Sequence, residues 1–206
     1  TDWFFLSHRL PIAIEAINQG YEVHIATTIA NELNSLKKNG LIVHPINLHR
    51  SRTGLLSVLL EFKEILDIIR LVAPNIVHLV TIKPVLLGGL ASRLLNVPSV
   101  VYAVSGLGYV FLKKGVKAFI IRKIIIYLYQ LAFRHKNKCV IFQNDSDQST
   151  LTKLSLLSSN EVELINGSGV DLSVFTQQPF NSGVPIIILA ARLLKDKGVQ
   201  EFVDAA

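Results

Sequence analysis

The 206 residues contain no methionine and only one cysteine, Cys139. A single thiol cannot build an internal disulfide framework, which sets aside the stapled secreted domains and fits a reducing cytoplasm. Without an initiator methionine, the chain is expected to begin downstream of the start of its gene. Long hydrophobic runs are also missing. Half of the residues are apolar, yet none of the runs reaches the about 18 consecutive apolar residues that a membrane-crossing helix needs. The most apolar stretch, Ile124 to Phe133, contains Gln130 and is bounded by Arg122, Lys123 and Arg134. The first ten residues lack the basic-then-apolar layout of a secretory signal. Acidic side chains are absent between Asp67 and Asp145, a stretch that holds 11 of the 21 lysines and arginines. A surface built from it attracts anions such as lipid headgroups and phosphates. Nucleic-acid modules with that charge also carry stacking aromatics on their strands. Here the strands are aliphatic, which favours a membrane surface or phosphorylated substrates and no nucleic acid.

What is present is a regular alternation. Short β-branched runs lie at Glu22–Ala26, Leu41–Ile46, Asn75–Val80, Ser99–Val104, Lys138–Phe142 and Glu161–Ile165. Between them stand stretches of helical spacing: Leu10–Asn18, Ala30–Lys38, Leu55–Leu71, Val85–Leu95, Val116–Phe133 and Ser146–Leu156. Pro84 occupies an expected first helical position, and Asn144 with Asp145 offers cap chemistry for the helix that follows. Strands apolar throughout and alternating with helices predict an α/β fold with a doubly wound parallel sheet covered on both faces. Residues 1–182 are expected to form one Rossmann-like domain whose first strand is missing. Asn181-Ser182-Gly183 reads as a linker. Residues 183–206, with a strand at Pro185–Leu189 and a helix from Gln200, are expected to be the truncated start of a second α/β domain.

In open parallel sheets, ligands bind outside the carboxyl ends of the strands. Those ends read Thr27-Thr28, then His78 with Thr81 and Lys83, then Ser105-Gly106-Leu107-Gly108, Gln143-Asn144 and Gly167-Ser168-Gly169. Turn chemistry wants the same residues, but five such ends on one rim point to a cleft. A second string, Arg192 to Gly198, follows the last strand and enters a helix. Arg192 and Lys197 beside Gly198 supply two cations and close backbone approach, which suit a diphosphate.

Several strings together resemble the retaining family 4 glycosyltransferases (GT-B fold) that extend lipid-linked sugars for bacterial surface polysaccharides. Trp3-Phe4-Phe5-Leu6-Ser7-His8-Arg9 leads to Gly20-Tyr21-Glu22-Val23. Pro74-Asn75-Ile76-Val77-His78 is followed by Thr81-Ile82-Lys83-Pro84. Ser105 to Phe111, Asn166 to Asp171 with Phe175, and Arg192 to Gly198 complete the set. The resemblance implies transfer of a hexose or N-acetylhexosamine from a nucleotide-diphosphate donor, UDP-linked, to a lipid-linked glycan, with retention and without metal or cofactor. It implies that Arg192, Lys197 and Gly198 hold the donor diphosphate. The loop Asp2 to Arg9, including His8, would face the acceptor with His78, Thr81 and Lys83. Ser105, Gly106, Gly108 and Tyr109 would border the reacting carbons, and Gly167, Gly169 and Asp171 the crossover loop. No catalytic residue is assigned: Ser105 stands where many relatives have histidine, and the paired-glutamate motif of the donor half would lie beyond Ala206. This chain alone is therefore not expected to turn over substrate.

Other features take plainer readings. Asp145-Ser146-Asp147 spells a metal–nucleotide chelating motif of a different fold, but opens a helix, where acids stabilise the N-terminus. His24 and His44 fall in strands as core or edge residues, and Cys139 as a packing residue. Lys113, Lys114, Lys117, Arg122 and Lys123 are expected to face an anionic membrane from the Leu112–Lys138 region, placing the protein on the inner face of the cytoplasmic membrane. A sugar-nucleotide epimerase of the same fold, or a non-catalytic membrane-associated partner in polysaccharide assembly, are the competing readings. A dinucleotide oxidoreductase lacks its G-x-G-x-x-G after a strand.

Overall fold

A computed structural model describes residues 1–48, 54–107, 111, 115–154, 157–179, 183–194 and 197–206. The chain divides into two compact units, Thr1–Gly169 and Val170–Ala206. In the first, the described helices are α1 (Asp2–His8), α2 (Leu10–Asn18), α3 (Leu33–Lys38), α4 (Leu55–Val72), α5 (Ile82–Leu94), α6 (Val116–Ala132) and α7 (Asp145–Leu154). The strands are β1 (His24–Thr27), β2 (Ile42–Pro45), β3 (Ile76–Val80), β4 (Ser99–Val104), β5 (Lys138–Phe142) and β6 (Val162–Leu164). Every described pairing is parallel, as the alternation predicts. The strands form two ladders, β1-β2 and β3-β4-β5-β6, rather than one continuous sheet. Among the described residues β1 and β3 each hydrogen-bond to a strand on one side only, and a strand paired on one side ends its ladder.

The four-stranded ladder has two unlike faces, as period-2 alternation requires. Val100, Tyr102, Val104, Val140 and Phe142 point to one face and are all at most 2% exposed. Helices α4, α5 and α6 lie side by side on that face, with α5 in the middle. Helix α4 buries Glu61, Ile65 and Ile69, a stripe of residues four apart. Helix α5 is buried from Val85 to Gly89 and again at Ala91 and Ser92, because it has neighbours on three sides. The last turn of α6 ends inside the fold, where its orphan carbonyls need donors. The Tyr102 hydroxyl donates to the Ala132 carbonyl at 2.7 Å, and Arg93 Nη1 to that of Leu131 at 2.5 Å.

Two adjacent glycines let α5 sit this close. A Cβ on Gly89 would stand 2.8 Å from both the Ala132 Cβ and the Tyr102 ring, while one on Gly88 would meet the tip of the Leu79 side chain. The Leu79 tip can rotate away; a ring and a backbone-anchored methyl cannot. Overpacking costs typically about 1–3 kcal/mol, and alanine returns about 1 kcal/mol of helix propensity. Gly89→Ala is therefore expected to lower the thermal midpoint by several degrees, and Gly88→Ala by less. Calorimetry checks the ordering; equal midpoints for Gly89→Ala and wild type would contradict it.

Residues 2–8, expected as a loop, form α1. Asp2 explains why. Its Oδ2 accepts from the backbone N–H groups of Ala30, Asn31 and Glu32 at 2.7, 3.0 and 2.9 Å, and Oδ1 from Trp3 N–H at 2.8 Å. Its side chain is fully buried, so Asp2 anchors the turn before α3 and does not stand on a cleft rim. Burial alone would raise its pKa, but the four N–H donors outweigh that and hold it at about 2. Helix α5 also starts earlier than expected. Thr81 is its N-cap and Pro84 its third residue, tolerated because first-turn N–H groups have no intrahelical partner.

In the second unit, Asp171 accepts from Ser173 N–H and Oγ at 2.9 and 2.6 Å, closing a turn, and α8 (Val199–Asp204) follows Gly198. The strand expected at Pro185–Leu189 does not form. Ile186, Ile187 and Ile188 are each at least 75% exposed, and an apolar segment with no neighbouring strand has nothing to complete its ladder.

Candidate functional site

The second face of the four-stranded ladder carries the opposite alternation: His78 and Val80 of β3, aligned with Val101 and Ala103 of β4 and with Cys139 and Ile141 of β5. Near the carboxyl ends of these strands lies a cavity of about 180 Å³. Its floor is Ala103, Ile141 and Ile165. Its polar wall is His78, Gln143 and Ser168, closed by Gly167, and the start of α2 contributes Arg9 and Ile12. The fold thus brings five separate segments of the chain to one point on the rim, as a parallel sheet does.

Arg9 ends α1 and caps α2. Its Nε is shielded from solvent and makes no hydrogen bond among the described residues. Burial lowers its pKa from the ordinary value, though a guanidinium stays charged. The charge is held against His78, whose pKa falls first through burial and then through repulsion by Arg9. His78 is therefore neutral at pH 7, with one ring nitrogen donating and the other accepting. Cation, neutral imidazole, amide and hydroxyl together suit an oxygen-rich ligand, with Arg9 favouring any part of it that is anionic.

Around the cavity the structure distributes the remaining expected residues unevenly. Gly167 lines the cavity, and Gly167 and Gly169 have φ of 75° and 69°, the left-handed region in which glycine is unstrained. Thr81 holds φ 73°, uncommon for a β-branched residue. It is fixed by its N–H donating to the Ala103 carbonyl at 3.2 Å and by its own carbonyl accepting from Val85. Ser105 and Gly106 follow β4, with Gly106 at φ 136°. Gly108 and Tyr109 lie outside the described residues, as do Lys113 and Lys114.

His8 does not line the cavity. It stacks on Phe4 with ring centres 4.4 Å apart and lies 2.6 Å from Ser7 Oγ through Nδ1. Lys83 is engaged elsewhere too: its Nζ sits 2.9 and 2.7 Å from the two oxygens of Glu61, which is 3% exposed. The pair ties α4 to the first turn of α5. Asn144 Oδ1 accepts from Asp147 N–H at 2.8 Å, and its amide donates to Asp147 Oδ2 at 2.9 Å. Asn144 thereby caps α7, and the D-x-D string is helix-start chemistry. His24 and His44 stack across β1 and β2, with Nδ1 and Nε2 2.8 Å apart. In the second unit Arg192 and Lys197 are exposed, and Gly198 caps α8 at φ 72°.

Gln143 and Ser168 were legible as rim residues, whereas the apolar members Ile12, Ala103, Ile141 and Ile165 were not singled out. The face they share follows from the register of β3, β4 and β5, which no local pattern encodes.

The parallel α/β domain, with a cavity at the carboxyl rim of its strands, has a Rossmann-like architecture. The glycosyl transferase 4-like family matches residues 1–144, and the chain belongs to that family. A Campylobacter jejuni protein named N,N'-diacetylbacillosaminyl-diphospho-undecaprenol alpha-1,3-N-acetylgalactosaminyltransferase is 26% identical over 98% of this chain. The chain spans 59% of the length of that relative. The crystal structure of Acinetobacter baumannii MurG aligns with 80% of this chain and 42% of its own, at 15% identity and a TM-score of 0.46.

Proposed function

We propose that the protein transfers a hexose or N-acetylhexosamine from a UDP-linked donor to a lipid-linked glycan, with retention of configuration and without a metal. The observation that carries this reading is the rim cavity, where Arg9, neutral His78, Gln143 and Ser168 converge. Membership of a glycosyltransferase family and the name of the Campylobacter relative, which describes a lipid-diphosphate acceptor, support the reaction class.

In the reaction the bond from the sugar's anomeric carbon to the diphosphate oxygen breaks. An acceptor hydroxyl oxygen forms the new bond on the same face, and its proton passes to the departing diphosphate. The cavity residues hold the acceptor by hydrogen bonds, so the protein's part is orientation. Arg192 and Lys197 take the charge that develops on the leaving diphosphate, and Gly198 leaves room for it. His78, being neutral, can accept from a sugar hydroxyl at physiological pH, which an imidazolium cannot.

In the complete enzyme, Lys197→Ala is expected to remove a charge-assisted contact worth about 1.5–3 kcal/mol. That is a fall of roughly tenfold to a hundredfold in kcat/KM, and Arg192→Ala should behave similarly. Both side chains are exposed, so thermal midpoints should not move. Steady-state kinetics with nucleotide-affinity measurement decide the matter. Unchanged turnover and affinity in both variants would remove the donor assignment.

A further inference from the structure

We infer, on the basis of the transfer reaction proposed above, that the rim cavity selects an acceptor whose terminal sugar carries a carboxylate, which pairs with Arg9. Among the described residues, the side chains of Arg9, His78, Gln143 and Ser168, all lining the cavity, make no hydrogen bond or ion pair. Comparable groups elsewhere in the first unit are engaged. Lys83 and Lys138 hold Glu61 and Glu161 at 2.7 and 2.6 Å, and the two ring nitrogens of His135 each lie 2.8 Å from a backbone carbonyl. Buried polar groups are ordinarily paired within the protein. Four unpaired ones at a single cavity instead offer a cation, an imidazole, an amide and a hydroxyl to whatever enters it.

Charge sets the kind of anion. Arg9 is the one full cation among the described lining residues, and no aspartate or glutamate stands among them. Glu163 shares this face of the ladder, beside Ile141 in the register, but does not line the cavity. His78 is neutral at pH 7, its pKa lowered by burial and then by Arg9. The wall thus presents a single positive charge, which one carboxylate matches. A phosphate monoester carries about 1.5–2 negative charges at pH 7 and would leave part of its charge uncompensated. The two-cation string from Arg192 to Gly198 suits that chemistry better. A guanidinium also meets a carboxylate through two parallel N–H···O bonds, a match in shape as well as charge.

The rest of the cavity suits a sugar ring. Its volume of about 180 Å³ lies below the roughly 300–1,000 Å³ of sites for drug-sized ligands, so it takes one monosaccharide. Ile12 and Ile165 line it while 49% and 51% exposed, and the C–H face of a pyranose can cover such side chains. A small inorganic anion would leave them bare. His78 accepts from a ring hydroxyl, and Gln143 and Ser168 can bond others. Those contacts are common to neutral and acidic sugars. Only the guanidinium distinguishes them, which makes Arg9 the specificity-determining residue.

The test gives the complete enzyme polyprenyl-diphosphate-linked disaccharides that differ in one group. The terminal sugar is a hexuronic acid, its neutral hexuronamide or the matching hexose, each in the gluco, galacto and manno series. Transfer from UDP-sugars is expected to be roughly tenfold to a hundredfold more efficient in kcat/KM with the acid than with either neutral form. Arg9→Gln should abolish that preference and lower transfer to the hexose much less. Arg9→Lys keeps the charge without the fork and should retain part of the preference. Arg9 makes no side-chain cap bond, so thermal midpoints should match wild type, and the acceptor comparison on wild type needs no variant. Saturation-transfer NMR reads the cavity without the reaction: methyl hexuronosides should bind more tightly than methyl hexosides, and Arg9→Gln should remove the difference. Equal efficiency with acid, amide and hexose would overturn the inference and leave the transfer reaction standing. So would an equal loss on all three acceptors in Arg9→Gln, which would assign Arg9 to the diphosphate they share. Hexuronoside binding that depends on Arg9, without transfer to any acceptor, would support the site and count against the reaction.

Discussion

Lys83→Met is expected to destabilise the protein by about 3–5 kcal/mol, the usual cost of removing one partner from a buried ion pair. Glu61 is 3% exposed and holds Lys83 Nζ at 2.7 and 2.9 Å. Methionine fills the space of the lysine stem but removes the ammonium that lies against the buried carboxylate. The double variant Glu61→Leu, Lys83→Met removes both charges together and should recover most of the loss. Urea denaturation of the single and double variants measures the difference. Were Lys83→Met as stable as wild type but inactive in the complete enzyme, Lys83 would be a ligand contact, as the resemblance of its motif suggested. The structure places it instead as the clamp that fixes the first turn of α5, and with it the left-handed Thr81 at the rim.

Asp2→Ala should cost about 3 kcal/mol, because it removes one carboxylate that accepts from four backbone N–H groups. For a chain of this size that is a fall of roughly 6–12 °C in thermal midpoint. The pH dependence carries a second signature. The folded pKa of Asp2, about 2, lies below its ordinary 3.8. Its contribution is therefore complete above about pH 4 and is lost as pH falls through about 2. Asp2→Asn keeps an acceptor without the charge, so it should cost less and flatten the stability profile between those values. Differential scanning calorimetry from pH 2 to pH 7 compares the three proteins. A midpoint for Asp2→Ala equal to wild type at neutral pH would show that the turn before α3 holds itself.

How far the sequence reveals this molecule depends on the range of the interaction. The strands and the helices from α2 to α7 are set by local apolar periodicity, and each was visible to within a few residues. Helix α1 was not, because Trp3-Phe4-Phe5-Leu6 has no polar side to give a helical period and its first residue is held by N–H groups some 28 to 30 residues away. The same limit hid the role of Lys83, whose partner lies on another helix, although a lone Glu61 in step with Ile65 and Ile69 marks a charge at a buried spacing. The packing at Gly88 and Gly89 has no local signal, because Leu79 against the first and the Tyr102 ring and Ala132 against the second lie on other elements. At Pro185–Leu189 local propensity was sound, but a strand is a property of two segments. The rim was legible as a row of small and polar strand ends. Which of them converge was decided by register: His78, Gln143 and Ser168 meet Arg9, while His8 does not reach the cavity.

Sugar transfer to a lipid-linked acceptor, the reaction proposed for this protein, can be assayed on the complete chain. The complete protein is incubated with UDP-hexoses or UDP-N-acetylhexosamines and a polyprenyl-diphosphate-linked saccharide, with and without EDTA. The lipid-linked product is isolated and its new linkage determined by mass spectrometry and NMR. Addition of one sugar in the donor's own anomeric configuration, undiminished by EDTA and impaired by Arg9→Ala, is the predicted result. Conversion of the UDP-sugar to an epimer with no transfer to the lipid-linked acceptor would contradict it.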